Sequence, residues 1–70
     1  MARYFYIEDK INDSVTEISI YEQRDRASHK LIEIMTHNPS KGSVERQVEH
    51  YIQTNLSRGE NTIRKFSSFS

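Results

Sequence analysis

Apolar and polar side chains alternate along the first third of the chain. From Arg3 to Ile11 and again from Ser14 to Glu22 the residues are rich in aromatic and β-branched types, and the two runs flank Asn12-Asp13. Period-two alternation on either side of a residue pair that tolerates left-handed backbone predicts a β-hairpin. A two-residue loop fixes the register so that facing residue numbers sum to about 25, pairing Phe5 with Ile20, Ile7 with Ile18, Tyr4 with Tyr21 and Tyr6 with Ser19. In that register Phe5, Ile7, Ile18 and Ile20 form an apolar inner face. Tyr4, Tyr6 and Tyr21 gather on the outer one, with Glu8 and Glu17 opposite each other further along. On this reading Tyr6 and Tyr21 can both be replaced by serine without loss of the fold.

The segment from Asp25 to Pro39 supports two readings. As a helix it places Ala27, Leu31, Ile34 and Met35 on an apolar stripe and Arg26, His29, Lys30, Glu33 and His37 on a polar one, with Asp25 as cap and Asn38-Pro39 as stop. As a third strand it sets Glu33 between Leu31 and Met35, leaving both faces mixed, and the helix is preferred. Beyond it, Ser43 caps a firmer helix. Its apolar positions Val44, Val48, Tyr51, Ile52 and Leu56 recur at helical spacing, and Gly59 sits where a left-handed C-cap belongs. Residues 62 to about 67 predict an edge strand carrying Arg64 and Lys65. The expected architecture is α+β in the order ββααβ, with both helices on one face of a small sheet; βββαβ is the alternative. Residues 1–70 form one domain, with the last few residues expected to fray.

Composition narrows the class. The apolar share is 34% of 70 residues, low for a globular domain, so a partner or second copy is compatible with completing the core. Ile, Leu, Val and Phe still exceed the floor for folding, and net charge is zero, which argues against disorder. Without cysteine there is no disulfide framework or thiolate metal site. No uninterrupted apolar run is long enough to span a bilayer, so a cytoplasmic location is expected, in the host cytoplasm if the chain is viral. Residues 1–23 carry two basic and five acidic side chains and residues 24–70 carry eight and five, so a local basic patch survives the neutral total.

Candidate chemistry is sparse. His29, His37 and His50 lack metal-ligand spacing and read as solvated polar-face residues, and no cofactor is expected. Lys41, Gly42 and Ser43 precede a helix N-terminus but do not make a phosphate-binding P-loop, and read as an ordinary turn. The two sequons, Asn12-Asp13-Ser14 and Asn55-Leu56-Ser57, read as turn or cap chemistry. No acid, base and nucleophile assemble, so the chain reads as a non-enzymatic protein.

The tyrosine face remains. Tyr4, Tyr6 and Tyr21, with Arg3, Arg64 and Lys65, are the expected contact residues, because tyrosine and arginine supply large contact area at low entropy cost. Two functions follow. The first is a small interaction protein that binds, and inhibits, a larger protein or ribonucleoprotein, of the type encoded by viruses of bacteria against host or defence proteins. The second is a nucleic-acid-binding module using the aromatic sheet face and a basic patch. With residues 28–37 as a strand, the outline resembles small DNA-binding domains that lay a sheet in the major groove, bringing Arg24, Arg26 and Lys30 into play. Homodimerisation through the tyrosine face or the last strand is compatible with each reading.

Overall fold

A computed structural model of the chain describes residues 2–56 and 61–66. Three strands, β1 (Ala2–Lys10), β2 (Thr16–Gln23) and β3 (His29–Thr36), are followed by a short 3-10 turn (Pro39–Lys41), one helix, α1 (Val44–Asn55), and a last strand, β4 (Asn61–Phe66). The sheet order is β3-β2-β1-β4; β1–β2 and β2–β3 are antiparallel, and β4 runs parallel to β1. Parallel pairing at that edge requires a crossover connection, and the segment carrying α1 supplies it.

The ββααβ expectation is overturned in its third element, which is a strand. Asp25 shows why the two readings were hard to separate. Its carboxylate accepts hydrogen bonds from the backbone N–H groups of Ala27 and Ser28, each at 2.8 Å. A helix N-cap makes the same bonds, two and three residues on. Here they close the β2–β3 turn instead, where Arg24 N–H also donates to the Ser28 carbonyl at 3.1 Å. The mixed faces that counted against a strand are resolved by a bulge: Ile20 faces Glu33 and Tyr21 faces Leu31, so Ile32 is the extra residue. That shift of phase puts Met35 and Glu33 on the side of α1 and Leu31 and Ile34 on the other.

The hairpin is present, but in a different register. Partners across β1–β2 sum to 26, as in Tyr6 with Ile20 and Phe5 with Tyr21. Ile11 N–H donates to the Val15 carbonyl at 2.9 Å, and the Asn12 side chain accepts from Ser14 N–H at 2.8 Å. The loop is therefore the three residues Asn12-Asp13-Ser14, not the pair Asn12-Asp13. A one-residue slip exchanges faces between one strand and its partner. Tyr4 and Tyr6 join Ile18 and Ile20, while Phe5 and Ile7 leave them.

The core is the cluster Tyr4, Tyr6, Ile18, Ile20, Val48 and Ile52, against which Met35, Val44, Tyr51 and Ile63 pack. Ile18, Ile20, Val48 and Ile52 are fully buried. The Ser43 hydroxyl accepts from Arg46 N–H at 3.2 Å, the expected N-cap. Gly59, the expected C-cap, lies outside the described residues. Gln47 is the one buried polar side chain among those described, and it ties α1 to the end of β3. Its carbonyl oxygen accepts from Asn38 N–H at 2.8 Å and its amide donates to the Thr36 carbonyl at 3.0 Å. No described helix is long and apolar enough to cross a membrane.

Candidate nucleic-acid interface

With α1 on one face, the opposite face of the sheet has no described helix over it. The registers place Arg3, Phe5, Ile7 and Asp9 from β1 there, beside Glu17, Ser19, Tyr21 and Gln23 from β2, His29, Leu31 and Ile34 from β3, and Thr62, Arg64 and Phe66 from β4. Phe5 is its centre. The Phe5 ring stacks on Tyr21 at 4.9 Å between centroids with planes 9° apart, and on Phe66 at 4.5 Å and 26°. His29 meets Phe5 edge-on at 5.6 Å and Tyr21 at 5.3 Å. Pairs at these separations and angles contribute about 0.5–1.5 kcal/mol each beyond the area they bury. The ring row is thus a rigid spine across β4, β1 and β2, and it hides Phe5 almost completely.

At the end of the face where β1 begins and β2 turns into β3, a groove of about 670 Å³ opens between Arg3, Arg26, Arg64, Phe5 and Phe66, with Gln23 and Asp25 on its wall. The Asp25 carboxyl is held below its usual value by the backbone hydrogen bond from Ala27 and by those from Ser28, so this acid stays charged and engaged by its own turn. Among the described residues no carboxylate forms an ion pair with Arg3, Arg26 or Arg64. The ion pairs present are Arg24 with Glu22 at 3.6 Å and Lys65 with Glu8 at 3.4 Å. Three guanidiniums that line one groove with no ion-pair partner among the described residues, beside an Asp25 carboxylate engaged by its own turn, can grip phosphate groups through paired N–H donors.

The expected contact residues divide between the two faces. Tyr4 and Tyr6 lie beneath α1, 5% and 4% exposed, and so cannot share a surface with Tyr21. Burial raises both hydroxyl pKa values; Glu22 adds to the effect at Tyr4, and Glu45, Glu8 and Glu49 add to it at Tyr6. Lys65 is on the helix side with Glu8, and Glu8 accordingly faces Ile18 and not Glu17. Arg3, Tyr21 and Arg64 remain together on the open face. Of the basic residues near the second turn, Arg26 reaches the groove, Arg24 pairs with Glu22, and Lys30 sits opposite Glu22 on the helix side.

Sequence reasoning missed Phe5, His29 and Phe66 as members of this surface. The signal was the Asn12-x-Ser14 turn, whose length decides which aromatic residues of β1 share a face with Tyr21. His37 and His50 stand apart from the face, the former bonded to the Gly42 carbonyl at 2.9 Å. Among the described residues no group of three or more His, Asp or Glu side chains is placed to hold a metal ion.

Comparison with protein-family models, with curated proteins and with solved structures finds no match to this chain.

Proposed function

We propose that this chain is a nucleic-acid-binding module whose interface is the open sheet face, with Arg3, Arg26 and Arg64 as the phosphate grip. The observation that carries the reading is charge segregation. A neutral chain has little general attraction for phosphates, yet here three guanidiniums without described ion-pair partners line one groove. Aromatic contact is secondary in this reading, because Tyr21 and Phe66 cover the two faces of the Phe5 ring. Phe66, 37% exposed, and the edges of Tyr21 and His29 are what a nucleotide would meet beside the grip.

A second reading, a small interaction protein that binds a larger protein, is favoured by Leu31 and Ile34, 45% and 49% exposed on the same face. Fluorescence anisotropy with labelled single-stranded and duplex oligonucleotides across a salt series separates the two. Three phosphate contacts give a slope of log K against log salt of about −2 for single strands and about −2.7 for duplex. Replacing Arg3, Arg26 and Arg64 by alanine should remove most of that slope. Absence of binding at low salt would leave the protein-partner reading in its place.

A further inference from the structure

The charges of the open face are arranged in a way that fits a second copy of the chain, and we infer that this face closes on itself as a two-fold dimer. Arg3 and Asp9 lie on one face of β1, each three residues from Tyr6. Gln23 and Glu17 lie on the same face of β2, each three residues from Ile20, the partner of Tyr6, and Arg26 stands beside Gln23 in the groove. On β3, Leu31 and Ile34 fall on either side of Glu33 and the extra residue Ile32, at the level of Ile20. All three pairs are therefore centred on one row across the sheet.

A two-fold axis lying in the plane of the interface along that row brings each end of the face over the opposite end of its mate. Arg3 then meets the Asp9 of the second copy, Arg26 approaches its Glu17, and Leu31 packs on its Ile34. Such a contact is isologous, so every favourable pair occurs twice.

Each copy alone carries an unrelieved cost at both ends. Asp9 and Glu17 are direct partners across β1–β2, and like charges facing each other on a sheet are destabilising. No cation forms an ion pair with either among the described residues, just as no anion does with Arg3 or Arg26. Face-to-face pairing relieves both at once and covers Leu31 and Ile34. Four strands about 4.8 Å apart and about 26 Å long present roughly 500 Å² per copy, which puts the dimer at the lower edge of specific interfaces and its Kd in the micromolar range. The inference does not rest on nucleic-acid binding. It uses the same face, so the two states exclude each other, and an oligonucleotide that binds the face should draw the dimer apart.

Sedimentation velocity from about 1 to 300 µM tests the inference, with circular dichroism to show that each variant is folded. Two variants carry opposite faces: D9R/E17R is basic at both ends, and R3E/R26E is acidic at both ends. Each alone should associate more weakly than the wild type, with Kd raised more than about tenfold by like charges in contact. Mixed in equal amounts they should form a heterodimer. A wild-type chain that stays monomeric, a dimer indifferent to either reversal, or a mixture that fails to pair would overturn it. Nucleic-acid affinity, read separately by anisotropy on the wild type at concentrations below the dimer Kd, tells whether the functional reading stands or falls on its own.

Discussion

Tyr6 and Ile20 face each other across the β1–β2 ladder, and both are buried against α1. That pairing places Phe5 with Tyr21 on the other side of the sheet and makes the two tyrosines different in kind. Tyr6→Ala should cost about 3–5 kcal/mol, as expected for deleting a buried aromatic ring. A domain this small holds only about 3.5–10 kcal/mol in total, so the variant should lose a large share of its stability. Tyr21→Ala removes a half-buried ring that stacks on Phe5, and should cost clearly less, because only part of its surface and about 0.5–1.5 kcal/mol of stacking on Phe5 are lost. Urea unfolding followed by circular dichroism checks the contrast; equal costs would place both rings in one environment and refute the register.

The loop length controls that register. Replacing Asp13 by glycine, with the chain length unchanged, offers the hairpin a two-residue Asn-Gly turn closed by Ile11 and Ser14, and the pairing in which partners sum to about 25. Tyr4 and Tyr6 would then part from Ile18 and Ile20, and the variant should lose its cooperative unfolding transition, as scanning calorimetry would reveal. A fully cooperative variant would mean that the turn adapts and the register is set by the core alone.

Gln47 is the bolt between α1 and the end of β3. Gln47→Leu keeps the volume but leaves Asn38 N–H and the Thr36 carbonyl without their partner. Each orphaned group costs about 1–3 kcal/mol where water cannot reach it. The urea midpoint should fall with an unchanged slope, and amide exchange at Asn38 should accelerate first.

Alkaline pH should unfold the protein through Tyr4 and Tyr6. Burial, followed by nearby carboxylates, raises both hydroxyls above the usual 10.0. A raised folded pKa means that the unfolded chain loses its protons first. The associated stability is therefore whole below pH 10 and drains away as pH climbs from 10 through the folded values. Urea midpoints at pH 8, 10 and 11 should decline only over the last interval. Tyr6→Phe, which cannot ionise, should soften that decline, and an unchanged profile would show that the Tyr6 hydroxyl ionises equally well in both states.

Much of this architecture was legible from residue patterns. The hairpin, the Ser43 cap, the Val48–Ile52 stripe and the basic last strand follow from periodicity and cap chemistry, and each is present. Two features were not, for local reasons. Asp25 makes hydrogen bonds that serve a helix cap and a hairpin turn equally well, and the bulge at Ile32 scrambles the alternation that would have marked β3 as a strand. The candidate site was lost through one residue in the first turn. Segregating isoleucine from tyrosine does not favour the shorter loop, because a tyrosine body is apolar enough to sit beneath a helix with isoleucine. Arg3, Tyr21 and Arg64 kept their place on one surface because Arg3 and Arg64 share Phe5's side of the sheet, the side that Tyr21 faces.

The most direct test of the account is where an oligonucleotide touches the protein. Nuclear magnetic resonance of the side chains, recorded at low salt and at protein concentrations below the dimer Kd, distinguishes the two faces. Added oligonucleotide should shift the guanidinium Nε–H signals of Arg3, Arg26 and Arg64 and the ring signals of Tyr21, His29 and Phe66, while the methyl groups of Val48 and Ile52 stay still. Shifts confined to α1, or none at all, would contradict the open face as the nucleic-acid interface.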